Sequence, residues 1–255
     1  VDLELEDRAF LITGGTDGLG LALAHTLIGE GARVAVCGRD GERLARAGEQ
    51  LGDRAFCYQA DVAREGELDA FIDAALAYLG RLDGAVNNAG RSAGTSIASS
   101  SDQEWREDYE LKVIAAMHLA RRVLPALEES RGSLLNVLAI MARSPHAGST
   151  PTTASRAAGL AFTKAMANEV GPNGVRVNAI LIGLIESGQW RRRAESNNVV
   201  LDDFYAEMAR GSKIPLGRVG RAQEFADLGA FLLSPRASYI TGVGISIDGG
   251  LSPVI

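Results

Sequence analysis

Ala9-Phe10-Leu11-Ile12-Thr13-Gly14-Gly15-Thr16-Asp17-Gly18-Leu19-Gly20 is the stretch from which the rest of the chain is read. A continuous apolar run, Ala9 to Thr13, breaks at a glycine pair. Apolar residues at helical spacing (Leu19, Leu23, Leu27) then follow to about residue 30. The run reads as a buried strand and the repeat as a helix. The glycines between them let the backbone turn sharply and approach a ligand. The helix start offers unpaired N–H groups and the positive end of its dipole to an anion. Gly14, Thr16, Asp17, Gly18, Leu19 and Gly20 are therefore candidate phosphate-loop residues.

The same alternation continues outward. Further strands are expected at Arg33–Cys37, Ala55–Ala60, Leu82–Asn87, Ser133–Leu138, Val175–Leu181 and Gly244–Ile247. Helices are expected at about 41–51, 64–79, 102–128, 152–170 and 221–233, the third of these ending near Pro125. Continuous apolar strands alternating with helices imply a doubly wound, Rossmann-type α/β fold. About seven parallel strands carry helices on both faces. Residues 1–255 read as one domain, with the polar, partly helical 187–212 as an excursion from it.

Composition narrows the class. Of the 255 residues 46% are hydrophobic and 23% charged, as in a globular protein. No apolar stretch approaches the roughly 20 residues that cross a bilayer, so no membrane partner is expected. With 26 basic and 32 acidic residues the net charge is −6, which disfavours nucleic acid as a partner. Two cysteines, Cys37 and Cys57, are too few for a disulfide framework, and the acidic N-terminus resembles no signal peptide. A cytoplasmic location is expected. No His/Cys/Asp/Glu spacing suggests a metal site.

If the glycine loop holds a dinucleotide, the adenosine ribose falls at the end of the second strand, in Cys37-Gly38-Arg39-Asp40. Gly38 stands where an acid selects NAD, and Arg39 follows with a guanidinium suited to the 2′-phosphate of NADP. NADP(H) is the expected cofactor, with NAD(H) as the alternative. Asp17 argues the other way, because it adds negative charge nearby.

Several motifs in order then resemble the short-chain dehydrogenase/reductase family over nearly the whole length. They are the 13–20 loop, Asp61-Val62, Asn87-Asn88-Ala89-Gly90, Arg176-Val177-Asn178-Ala179, Tyr239-Ile240-Thr241-Gly242 and Asp248-Gly249-Gly250. The resemblance implies that Asp61 and Val62 meet the adenine. It also implies that Asn88, Ala89 and Gly90 line the ribose and pyrophosphate. Gly183, Ile185 and Ser187 fall where the family cradles the nicotinamide, although Ile182 replaces the proline usual before that glycine. A homodimer or homotetramer pairing the helices at 102–128 and 152–170 is implied too. Ala115, Ala116, Ala120, Ala157, Ala158, Ala161 and Ala165 are the small residues that permit close approach.

The family's usual proton-transfer residues are absent. By register, Thr152 holds the Tyr place, Arg156 the Lys place, Ala139 the Ser place and Lys112 the Asn place. An aliphatic alcohol cannot replace a phenol as a proton relay, and Arg156, which keeps its proton, is left to anchor the nicotinamide ribose. Lys112 is a candidate base or Schiff-base nucleophile, its pKa depressed by Arg156, and His146 is a second candidate on a substrate-bordering loop. Arg191, Arg192 and Arg193 suit an anionic small-molecule substrate, and Tyr205 is a candidate replacement acid. His25 and His118 read as surface or packing residues. Three functions remain open. One is hydride transfer without the Tyr–Lys relay. Another is a non-redox lyase, isomerase or dehydratase using Lys112 or His146. The third is a nucleotide-binding partner without catalysis.

Overall fold

The computed structural model describes all residues, 1–255. Seven strands form one parallel sheet: β1 Ala9–Thr13, β2 Arg33–Gly38, β3 Ala55–Gln59, β4 Gly84–Asn87, β5 Ser133–Ala139, β6 Arg176–Ile182 and β7 Gly244–Ile247. Their order across the sheet is β3-β2-β1-β4-β5-β6-β7. The crossover between β1 and β4 splits the sheet into two oppositely wound halves. Ligands of such sheets sit at that switch point, outside the carboxyl ends of the strands.

The helices are α1 Gly18–Gly29, α2 Gly41–Leu51, α3 Glu65–Leu79, a long α4 over residues 102–130, α5 Thr152–Val170, α6 Gly188–Ser196, α7 Leu201–Gly211 and α8 Ala222–Leu233. Successive strand residues point to opposite faces, which builds two cores. Leu11, Leu134 and Val177 pack with Phe71 and Ile72 of α3, Leu119 of α4 and Met166 of α5. Phe10, Ile12 and Leu135 pack with Leu23 of α1 and Phe225 of α8. Residues 187–212 carry α6 and α7, and Ala209 of α7 packs in a small separate core with Ile214 and Val219, which lie beyond that segment. No helix is long and apolar enough to cross a membrane.

α4 departs from the sequence expectation in two ways. It runs as Asp102–Tyr109, a π-helical turn Glu110–Ile114, and Ala115–Ser130. Pro125 lies inside it rather than ending it. Buried Val123 and Leu127 on either side hold that stretch against the sheet, and the helix stops only at Arg131, which is left-handed with φ 52°. Packing here outweighs the one backbone hydrogen bond that proline removes. Ala115 and Ala120, expected at a subunit contact, are buried against the sheet; Ala157, Ala161 and Ala165 are exposed.

Arg176 closes the carboxyl end of α8. Its guanidinium donates to the carbonyls of Leu232 (2.7 Å), Leu233 (3.3 Å) and Ser234 (3.0 Å), and burial pushes its pKa down to about 10. These carbonyls have no helical partner of their own. Arg176→Met is expected to cost roughly 1.5–3 kcal/mol, the worth of hydrogen bonds to a charged group. A calorimetric melt should then show a midpoint lower by roughly 3–10 °C for a domain of this size. An unchanged melt would mean that water caps the helix as well.

Candidate functional site

At the switch point the ends of β1 and β4 are tied side chain to backbone. Thr13 Oγ1 donates to Val86 O and accepts from the backbone N–H groups of Asn88 and Ala89, each at 3.1 Å. Asn88 Nδ2 donates to Thr13 O and Gly14 O, each at 2.9 Å. A Cβ on Gly20 would sit 2.4 Å from both Asn88 Nδ2 and Gly14 O, so only glycine fits where α1 meets this knot. Asp17 caps α1, its carboxylate accepting from Gly18 N at 2.8 Å.

Above this knot lies a cleft of about 880 Å³. Every residue that the sequence nominated for the dinucleotide lines it: Gly14, Thr16, Asp17, Gly18, Leu19, Gly20, Arg39, Asp61, Val62, Asn88, Ala89, Gly90, Arg156, Gly183, Ile185 and Ser187. At one end, a Cβ on Gly38 would lie 2.7 Å from Cγ2 and Oγ1 of Thr16, so a larger residue there requires the Thr16 side chain to move. Arg39 follows it, its Nη1 3.5 Å from Asp61 Oδ2. Arg43 lines the same end, and its buried Nε has no hydrogen-bond partner. Sequence reading missed Arg43. Its one signal is a spacing of four residues from Arg39, at the first turn of α2. The buried Nε of Arg156 is likewise unpartnered. Orphaned guanidinium donors in a glycine-lined cleft fit a polyanionic ligand.

At the other end Thr152, Ala139, His146 and Arg156 face the cleft, but Lys112 does not. The π-helical turn holds Lys112 behind Thr152, beside a second, mostly apolar cavity of about 90 Å³. Its Nζ donates to Thr152 Oγ1 at 2.8 Å and to Asp108 Oδ1. The Lys112 and Asp108 side chains are each 1% exposed. Thr152 Oγ1 also accepts from Ala93 N at 2.9 Å, and Ser155 Oγ donates to Asp108 Oδ2 at 2.6 Å. Burial first, and then the Arg156 charge, push the Lys112 pKa down to about 8, against the upward pull of Asp108. Burial lowers Arg156 to about 10; its Nη1 donates to Val137 O at 2.6 Å. Asp108 and Ser155 also escaped the sequence reading. An Asp four residues before a Lys on a helix ordinarily marks a solvated pair.

The remaining candidates separate. His146 lies on the cleft rim, exposed, with Nδ1 2.9 Å from Ala147 O. Tyr205 does not line the cleft; it packs beside Phe204 and against the small separate core around Ala209. Of the three arginines only Arg192 reaches the cleft, and its Nη1 donates to Asp17 Oδ2 at 2.9 Å. Arg193 stacks over Trp190, 5.9 Å from the ring centroid, and Arg191 is exposed. His118 is buried, with Nε2 2.9 Å from Asp69 Oδ1 and Glu65 nearby. Arg122 Nε (2.7 Å from Asp69 Oδ1) and Arg121 Nη2 (3.2 Å from His118 Nδ1) crowd that group. His25 is exposed.

Comparison with known proteins agrees with this architecture. A family model described as enoyl-(acyl carrier protein) reductase matches residues 14–252. The 3-oxoacyl-(acyl-carrier-protein) reductase FabG from Chlamydia muridarum is 30% identical over 253 residues, 97% of this chain and 98% of that protein. A short-chain oxidoreductase from Pseudomonas aeruginosa PAO1, solved with NADPH bound and containing an atypical catalytic center, is 40% identical. It superposes with a TM-score of 0.92 over 98% of each chain. L-sorbose reductase from Gluconobacter frateurii, solved with NADPH and L-sorbose, is 30% identical with a TM-score of 0.93 over 100% of each chain. The sheet order, the switch-point cleft and these full-length matches lead to one conclusion: the chain belongs to the short-chain dehydrogenase/reductase family.

Proposed function

We propose that the protein is an NADP(H)-dependent oxidoreductase of small carbonyl and alcohol substrates, in which Lys112 and Thr152 together replace the absent Tyr–Lys pair. The dinucleotide, when bound, supplies or takes up the hydride. Arg39 and Arg43 receive the 2′-phosphate, the loop from Gly14 to Gly20 receives the diphosphate, and Asp61 and Val62 meet the adenine. Asn88, Ala89, Gly90 and Arg156 line the ribose side, with Gly183, Ile185 and Ser187 at the reacting end. NADPH in two full-length relatives supports this cofactor, as does the Gly38-Arg39 pair at the end of β2, where no acid stands. NAD(H) is left as the weaker ligand.

The observation that carries the reading is the hydrogen-bond pattern of Thr152. Its oxygen already accepts from Lys112 Nζ and Ala93 N, so its own hydrogen is free to be donated. Alone, Thr152 is far too weak an acid. With Lys112 behind it, the ammonium supplies the acidity and the hydroxyl conducts it to a carbonyl oxygen in the cleft. Lys112, with a pKa of about 8, is matched to proton transfer near neutrality. The reading of Lys112 as a Schiff-base nucleophile has less support, because the amine is buried behind Thr152 and held by Asp108. Non-redox catalysis by His146 would rest on a single exposed imidazole. Arg192 and the 187–212 excursion are proposed to close over the substrate and favour an anionic one. The exposed faces of α4 (Ile114, Met117) and α5 (Ala157, Ala161, Ala165) are proposed to pair in a homodimer or homotetramer.

Four measurements test this. Titration calorimetry should show NADPH binding more tightly than NADH. The double variant Arg39→Ala/Arg43→Ala should lose at least ~10-fold in NADPH affinity, the worth of about one charge-assisted contact, with NADH little changed. Equal loss for both nucleotides would remove the 2′-phosphate assignment. Lys112→Met should lower kcat for ketone reduction by roughly 10²–10⁴-fold with NADPH affinity retained. Reduction needs the ammonium, so its rate should be full below pH 8 and fall as pH rises through about 8, while alcohol oxidation rises over the same range. A flat profile would sink the Lys112 assignment. Light scattering should give at least twice the 26.8 kDa chain mass.

A further inference from the structure

Asp108 is the one carboxylate bonded to Lys112, and no step of the proposed reaction uses it. It sits one turn before Lys112 on α4, 1% exposed. One oxygen receives the Lys112 amine and the other receives Ser155 Oγ from α5 at 2.6 Å. Both carboxylate oxygens are therefore committed, and the group is tied to two helices. An ordinary helical Asp–Lys pair lies in water and is worth a few tenths of a kcal/mol. This one is out of water, where a charge without a partner is strongly disfavoured.

We propose that Asp108 is a positioning residue of the proton-transfer site. Its carboxylate, locked by Ser155, fixes the Lys112 amine against Thr152 and keeps it in the ammonium form that can give up a proton. The inference rests on the reading of Lys112 and Thr152 above and adds the group that makes this arrangement workable.

The charges that face Lys112 are few. Asp108 lies on its own helix, Arg156 comes from α5, and Arg91 comes from the loop after β4; Thr152 is uncharged. Burial and both arginines disfavour the ammonium, and Asp108 alone opposes them. Without that carboxylate only burial and the two arginines act on the amine, so the ammonium form is disfavoured further; an amine that has lost its proton hydrogen-bonds to Thr152 as an acceptor and has none to deliver to a carbonyl. The geometric and electrostatic roles are the same contact. The ion pair that aims the amine at Thr152 Oγ1 is also the one that keeps it charged.

The chain has three lysines, Lys112, Lys164 and Lys213, and the last two are exposed. Labelling the lysine ε-carbon with ¹³C gives a three-signal NMR titration of the full chain, with Lys112 assigned by its loss in K112M. In the wild type, the two ε-protons of Lys112 should be resolved from one another because the amine is locked, while those of Lys164 and Lys213 are degenerate. D108N should lower the Lys112 titration midpoint by at least ~1 pH unit, and D108E should restore it to within ~0.5 unit. In reductive kinetics, the alkaline limb of the kcat profile should move down with it, at unchanged NADPH affinity.

A Lys112 midpoint that stays put in D108N overturns the proposal, even if the variant melts at lower temperature, because a merely structural carboxylate moves only the melt. Degenerate Lys112 ε-protons in the wild type also overturn it. That second readout, with D108E, decides the matter should D108N not fold. Failure to reduce any carbonyl acceptor would count against the proposed function alone, since the titration of Lys112 is read without turnover.

Discussion

The hydroxyl of Thr13 and the carboxamide of Asn88 join the carboxyl ends of β1 and β4, and everything in the cleft is referred to that join. These two strands run side by side but leave the sheet in opposite directions, so their last residues part and expose backbone groups. Thr13 Oγ1 accounts for two N–H groups and one carbonyl, and Asn88 Nδ2 for two more carbonyls. The glycine loop is thereby held at a fixed height over the sheet. The start of α1 is aimed across it, and the Asn88-Ala89-Gly90 turn forms the opposite wall. A second polar chain continues beneath: Asn87 Nδ2 to Asn136 Oδ1 at 2.9 Å, and Asn136 Nδ2 to Thr163 Oγ1 at 2.9 Å. Asn87 Nδ2 also reaches Ala116 O, just past the π-helical turn. Adjacent residues, Asn88 and Asn87, thus anchor the glycine loop on one side and the helix just after the Lys112 turn on the other.

The two ends of the cleft are built on different principles. The phosphate-loop end is a backbone surface, with glycine where side chains would collide and donors that need no desolvated charge. The Lys112 end concentrates charge away from water: a buried guanidinium, a buried ammonium and one carboxylate within a few residues' reach. A core of apolar residues at those positions would be more stable in most contexts. Such an arrangement is understandable where chemistry needs a group near its titration point, since burial is the cheapest means of bringing an amine toward neutrality.

Much of this was legible in the sequence because it follows from short-range pattern. Apolar runs of strand length and the 3.6-residue repeats locate the seven sheet strands and the helices packed on them to within a few residues, whereas the polar 187–212 gives no boundaries for α6 and α7; the glycine loop carries its own geometry. The glycine loop and Arg39 follow from the ends of the first two strands, and the other cleft residues from the motifs that resemble the family. What escaped depends on the partner across space. Pro125 reads as a stop because proline removes a hydrogen bond, yet the packing of Val123 and Leu127 keeps the helix going. The π-helical turn has no sequence signature, so Lys112 was expected to reach the pocket and instead lies behind Thr152. Arg43 and Asp108 look like surface charges at helical spacing. Only the walls around them make one an orphaned donor and the other a buried anchor.

The Arg192–Asp17 ion pair joins residues 175 apart in sequence, and other contacts elsewhere in the fold span still more of the chain. Gln223 of α8 reaches Thr26 of α1 across 197 residues, and Arg236 reaches Glu4 across 232. The first half of the sheet can pair as it is made, but α1 keeps one face uncovered until α8 arrives. The cleft is therefore complete only when the last quarter of the chain is in place. A protein cut before α8 would present Leu23, Leu27, Phe10 and Ile12 to solvent. It would carry an intact glycine loop and still lack a site.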